Sequence, residues 1–154
     1  MRLRDRPVLL DGGRGRARGI AVALDLVRLQ ELPYVGEHDA VVTIYAMGNV
    51  PPEDWPLVLA NLHRATRPGG LFDLTVEEAA EPVIEEAFTT LTRRGLLAVR
   101  GEVIDGDVAG YRYYSSRDRV AGWLHAARLQ IIDEGFSQED GWGYRNFLLQ
   151  SARQ

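Results

Sequence analysis

Cysteine is absent from all 154 residues, and so is lysine. The first absence removes disulfides, thiolate nucleophiles and cysteine-ligated zinc, and it suits a protein of the reducing cytoplasm. The second removes a phosphate-loop lysine and a Schiff-base lysine. No apolar run is long enough to cross a bilayer as a helix, which needs about 18 residues or more. The N-terminus has arginines but no apolar core followed by a small-residue cleavage site, so it does not read as a secretory signal. The histidines, His38, His63 and His125, have no ligand-like spacing, and no metal site is expected. No serine sits on a glycine-flanked elbow, which removes a hydrolase triad of that kind.

Every basic residue is therefore an arginine, and arginine is unevenly placed. Residues 1–20 carry net charge +4, while the whole chain carries −4. Such an end could be a nucleic-acid arm, but it lacks interleaved aromatics and the rest of the surface is acidic enough to repel phosphate. Apolar content of 45% and charge of 26% are those of an ordinary globular protein, and the length suits one domain. Residues 1–154 are read as that single domain, with 1–19 an arginine-rich leading segment.

The pattern of elements is α/β. Asp11-Gly12-Gly13-Arg14-Gly15 reads as a glycine-rich turn after a short strand, and Ile20–Leu26 as a buried strand ending near the acid Asp25. Ala40–Tyr45 is rich in β-branched residues and predicts a strand. A helix should follow, opened by Pro51 and Pro52 with Glu53 and Asp54 in its first turn. Trp55, Val58, Leu59 and Leu62 fall on one face. Pro68-Gly69-Gly70 should stop this helix before a strand over Leu71–Val76. Glu81-Pro82 opens a second amphipathic helix. Val99–Ile104 and Val108–Tyr114 read as a hairpin, and Ser115 with Asp118 as a capping box for a third helix. Leu129–Glu134 and Gly143–Gln150 lie too close in sequence for a parallel crossover, so they should pair antiparallel. Glu77, Glu78, Glu81, Glu85 and Glu86 read as a solvated acidic face.

These phrases, in this order, resemble the class I S-adenosylmethionine-dependent methyltransferases of small-molecule type. The resemblance rests on Gln30-Glu31-Leu32-Pro33-Tyr34, Asp39-Ala40-Val41-Val42, Gly48-Asn49-Val50-Pro51-Pro52-Glu53-Asp54-Trp55-Pro56, Arg67-Pro68-Gly69-Gly70-Leu71 and Gly110-Tyr111-Arg112-Tyr113-Tyr114. It covers about residues 20–152. It implies a Rossmann-like, mainly parallel sheet with an antiparallel C-terminal edge. The front departs from the family. Between Gly15 and Asp25 there is no room for a crossover helix and a return strand, which need more than about 20 residues. The N-terminal half of the fold is expected to be incomplete.

The resemblance also implies roles. Asp11, Gly12, Gly13 and Gly15 would stand where the family's glycine loop meets the cofactor. Asp25 would lie beside the nucleoside, whether its strand is the family's second or third. Ile44, Tyr45, Ala46 and Met47 would line adenine and methionine, with Met47 open to the alternative of a core filler. Asn49 and Tyr45 would face the chemistry, although many relatives carry histidine where Asn49 stands, and an asparagine cannot take a proton at neutral pH. Tyr111, Tyr113, Tyr114 and Trp142, with Tyr144, would roof a pocket for a small-molecule acceptor, or alternate into the core of a sheet. The function implied is methyl transfer from S-adenosylmethionine to a small molecule. The alternative is a non-catalytic relative whose exposed sheet edge is covered by a protein partner or by a second copy.

Overall fold

Strand β1 (His38–Thr43) forms where the sequence concentrates β-branched residues, at Val41, Val42 and Thr43. The computed structural model describes residues 25–105, 110–139 and 142–152, and β1 is the first strand among them. Helix α1 (Trp55–Ala65) follows, then the long strand β2 (Thr66–Ala79) and helix α2 (Glu81–Arg93). Next come a hairpin of β3 (Glu102–Asp105) and β4 (Gly110–Tyr113), and helix α3 (Arg117–Ala126). The strands β5 (Leu129–Glu139) and β6 (Trp142–Ser151) close the chain. The main sheet runs β1-β2-β6-β5, with β1 and β2 parallel across the α1 crossover and β6 antiparallel to both β2 and β5. The architecture is α/β and Rossmann-like, with the antiparallel C-terminal edge that the short spacing of the last two strands requires.

Alternation along the strands separates two faces. Phe72, Leu74 and Val76 of β2 sit opposite Leu149, Phe147 and Arg145 of β6, and the apolar members of this set are buried beneath α1 and α3. Trp55 is fully buried, and its indole donates to the Val50 carbonyl at 3.2 Å. It packs on Trp123 of α3 and Tyr113 of β4, with the Arg119 guanidinium 5.1 Å from the Trp123 ring. On the opposite face, Val42, Leu71 and Leu148 remain well exposed, Val42 at 61%.

Several local expectations are corrected. Asp25 and Leu26 lie in irregular chain, so the described end of the expected strand Ile20–Leu26 is not strand; the rest of it, and Asp11–Gly15, lie outside the described residues. Helix α1 starts at Trp55 rather than at Pro51, because Pro56 fits the first turn while Asp54 bonds the Gln30 amide at 3.1 Å instead of capping. The helix also ends earlier, at Ala65. Its last carbonyls accept from the backbone leading into β1, Gly36 N–H on Arg64 (2.8 Å) and Glu37 N–H on Ala65 (3.0 Å), and so tie the end of α1 to the start of β1.

The Pro68-Gly69-Gly70 segment is accordingly not the helix stop. It is an irregularity inside β2, where pairing with β1 jumps from His38–Thr66 to Ala40–Leu71. A Cβ at Gly70 would strike the Thr66 side chain and the Asp39 carbonyl, which explains the glycine. Helix α3 is capped by Ser116, whose hydroxyl accepts from Arg119 N–H at 3.4 Å, and not by Ser115, which is buried. The hairpin is observed with the expected partners, Glu102–Tyr113 to Asp105–Gly110, its turn lying outside the described residues.

At the amino end of the sheet, His63 in the last turn of α1 has a buried Nε2 without a hydrogen-bond partner among the described residues. Burial first, and the nearby Arg128 charge second, hold its pKa below the usual histidine value. The unfolded chain then binds the proton more readily than the folded one, so stability is complete above the ordinary histidine pKa and falls as pH drops below it. Urea midpoints measured from pH 7.5 to 5.0 should decline, and His63→Gln should decline less over the same range. Parallel curves for the two proteins would contradict this role for His63.

Candidate active site

Two segments meet beyond the carboxyl ends of β1 and β2, the position that α/β sheets use for ligands. The first is the loop Ile44–Asn49. Ile44 and Tyr45 are exposed, at 63% and 49%, and Ala46 is half-buried. Tyr45 has φ of 53°, a left-handed conformation that a bulky residue rarely adopts and that turns the loop sharply off the strand end. A turn of 3-10 helix at Met47–Asn49 returns the chain towards α1. Asn49 is exposed, and its amide donates to the Tyr45 carbonyl at 3.3 Å, closing the loop on itself. Met47 is completely buried in the core cluster, so the core-filler alternative holds for its side chain.

The second segment is the end of β2. Glu77, expected on a solvated face, is instead buried, and Arg112 of β4 donates to its Oε1 at 2.9 Å. A lone buried carboxylate would be costly, whereas one paired with arginine is tolerated. Glu77 also presses against the loop: a Cβ built on Gly48 would lie 2.7 Å from Glu77 Oε2. Gly48 therefore lets the loop, the carboxylate and the hairpin close on one another. Glu78 is paired as well, with both oxygens on Arg145 at 2.5 and 3.2 Å. Arg145 continues to Glu134, and Glu134 to Arg117 of α3. Burial, then the neighbouring Glu77 charge, raises the Tyr114 phenol above its usual pKa, against the Arg112 charge. It is a hydrogen-bond donor at neutral pH.

The five aromatic residues read as an acceptor pocket separate into two groups. Tyr113 is buried against Trp55 and Trp123, and Tyr111 packs on the same core with its hydroxyl donating to Glu102 at 2.9 Å. Tyr113 is thus a core residue, because β4 turns that face towards α3. Tyr114 is half-buried beside Glu77 and Arg112. Trp142 and Tyr144 lie on the other face of the sheet, ring centroids 5.0 Å apart, and Tyr144 meets the Tyr45 ring at 4.5 Å. Asp25 is exposed and accepts from the Tyr34 hydroxyl at 2.5 Å, while the Tyr34 ring packs on His38 at the start of β1. The Glu77–Arg112–Gly48 arrangement has only a small signal in the sequence: a Glu directly after the apolar run of β2, and an Arg among the tyrosines of β4.

No protein-family model matches the sequence, and no curated protein matches it. Solved structures do match its fold. A SAM-dependent methyltransferase from Methanosarcina mazei superposes with a TM-score of 0.69 at 12% identity, over 84% of this chain and 67% of that one. The 1,6-didemethyltoxoflavin-N1-methyltransferase of Burkholderia thailandensis, solved with 1,6-didemethyltoxoflavin and S-adenosylhomocysteine, gives 0.60 at 15% identity over 83% and 50%. Magnesium protoporphyrin IX methyltransferase from Synechocystis, solved with S-adenosylhomocysteine, gives 0.55 at 14% over 83% and 50%. The chain has a class I methyltransferase-like fold and spans from half to about two-thirds of these structures' lengths. No helix among the described residues is long and apolar enough to cross a membrane, and none of their acidic and histidine side chains gather as a metal site.

Gly48→Ala should force the Glu77 carboxylate off Arg112 and cost about 1–3 kcal/mol. In a Glu77→Ala background the same substitution should cost much less, because the atom it strikes is gone. Chemical denaturation of the four proteins in the cycle measures this, and additive costs would contradict the contact.

Proposed function

We propose that this protein is an S-adenosylmethionine-dependent methyltransferase acting on a small molecule, with its site at the loop Ile44–Asn49. One observation carries the reading. The chain shares its fold with methyltransferases solved with S-adenosylhomocysteine, and the exposed loop Ile44–Asn49 follows the first strand of its parallel β1–α1–β2 unit. The residues present suit the cofactor. Ile44 and Tyr45 offer open apolar and aromatic surface for a nucleoside, and the exposed acid Asp25 could accept from ribose or adenine groups. Met47 could contribute only backbone.

S-adenosylmethionine supplies an electrophilic methyl group, so the protein's part is alignment and exclusion of water. Asn49 commits its amide to the Tyr45 carbonyl, which leaves Oδ1 to accept from an acceptor hydroxyl or amine and orient it. Neither Asn49 nor protonated Tyr114 is a base at neutral pH. An acceptor that is nucleophilic without general-base help therefore fits best.

A second reading is favoured by the exposure of Val42, Ile44, Leu71 and Leu148: a non-catalytic relative whose open sheet face is covered by a protein partner or another copy. Calorimetric titration with S-adenosylhomocysteine separates the two. The first reading expects saturable binding, lost on Ile44→Asp and weakened roughly ten-fold by Asp25→Ala, about the effect of one hydrogen bond to a charged group. No heat from folded protein would overturn it.

A further inference from the structure

Strand register defines what the main sheet shows on the face away from α1 and α3. Ala40 of β1 pairs with Leu71 of β2, and Leu71 with Gln150 of β6. In the next row Val42 pairs with Asp73, Asp73 with Leu148, and Leu148 with Asp133 of β5. The core residues Val41, Phe72 and Leu149 alternate with these, so both rows point away from the core. Val42, Leu71 and Leu148 occupy adjoining positions on three neighbouring strands, and all three are exposed. A sheet built on a parallel β–α–β unit is normally covered on both faces. Two carboxylates interrupt this apolar surface. Asp39, Glu77, Glu78 and Glu134 of the same sheet each meet an arginine. Asp73 and Asp133 meet none among the described residues, Asp133 accepting only the Glu134 N–H at 2.9 Å. A cover for this face therefore needs apolar side chains and cations together.

We infer that residues 1–24 of this chain are that cover, with residues 20–24 over Val42, Leu71 and Leu148 and arginines on Asp73 and Asp133. The segment has the composition required: six arginines, and the apolar run Ile20-Ala21-Val22-Ala23-Leu24. It also joins the described residues at the right place. Asp25 accepts from the Tyr34 hydroxyl, and the Tyr34 ring stands edge-on to His38 at 5.0 Å. His38 opens β1, the edge strand, and by alternation shares the face of Ala40 and Val42. From His38, Val42 lies about 13 Å along the strand and Asp133 about 14 Å across the sheet, each a distance that about five extended residues span. A second copy fits less well. A two-fold contact uses the same patch on both copies and would bring their unpaired carboxylates together. The inference does not depend on cofactor binding, and it gives to the chain itself the face that the non-catalytic reading gives to a partner.

The chain has no cysteine, so Ala17→Cys provides a single attachment point for a nitroxide label on the whole protein. With the protein also labelled with nitrogen-15, the nitroxide should remove most of the amide signal intensity of Asp73, Leu148 and Asp133. Leu57 of α1 and Gly122 of α3, exposed on the other side of the sheet, should keep theirs. Asp73→Asn combined with Asp133→Asn removes the two charges without changing side-chain size, and it should restore part of the lost intensity. Loss shared equally by the two sides, no loss at Asp73 and Leu148, or a loss unchanged in the double variant would overturn the inference. A mixture of nitroxide-bearing protein with separate nitrogen-15 protein distinguishes copies. No loss is expected there, and loss at Asp73 and Leu148 would assign the face to a second copy and overturn the inference. A protein that shows the expected losses but gives no heat with S-adenosylhomocysteine keeps this cover and loses the methyltransferase proposal.

Discussion

Strand β2 is bonded in parallel to β1 on one side and antiparallel to β6 on the other, and the candidate site depends on that change of direction. A parallel neighbour must come through a crossover, so β1 delivers its loop at the end of the sheet where β2 also finishes. An antiparallel neighbour enters where β2 leaves, so the first residues of β6 arrive at the same end. Tyr45, Glu77 and Tyr144 therefore converge although they are separated by 32 and 67 positions. Reversing either pairing would send one of the three to the opposite end of the sheet, about 20 Å away for a strand of ordinary length.

Charge pairing then holds the convergence in place. Glu77 is locked to Arg112 of the hairpin, and Glu78 through Arg145 and Glu134 to Arg117 of α3. The two adjacent acids point to opposite faces, as neighbours on a strand must, and each is tied to a different element. Exposed pairs such as Arg117–Glu134 add little to stability, whereas the nearly buried Arg145–Glu78 fork fixes geometry. With no lysine in the chain, each of these contacts uses the planar guanidinium that can bind two oxygens at once.

Much of the fold was legible because it follows periodicity and spacing. Val41–Thr43, the 3–4 spacing of Trp55, Val58, Leu59 and Leu62, and the short gap before β6 each carry a direct physical signal. Errors arose where two devices share a motif. Pro68-Gly69-Gly70 reads as a helix stop but serves a strand irregularity, because the close approach of Thr66 and Asp39 cannot be seen along the chain. The capping serine was displaced by one residue because Ser115 and Ser116 are equivalent by type, and only burial tells them apart. In the site, the exposed loop Ile44–Asn49 was readable, but the buried Glu77 was not. A run of glutamates looks solvated until an arginine 35 positions away is folded onto one of them.

The proposed function requires a ligand to enter at the carboxyl ends of β1 and β2, between the Tyr45–Asn49 loop and the first residues of β6. Backbone amide chemical-shift mapping of the uniformly labelled protein with S-adenosylhomocysteine tests it most directly. The largest shifts should cluster at Ile44–Asn49 and Glu77–Ala79, with Gly36, Arg64 and Ser151 at the other end of the sheet unmoved. Shifts concentrated at that opposite end, or scattered over the exposed face of Val42, Leu71 and Leu148, would contradict it.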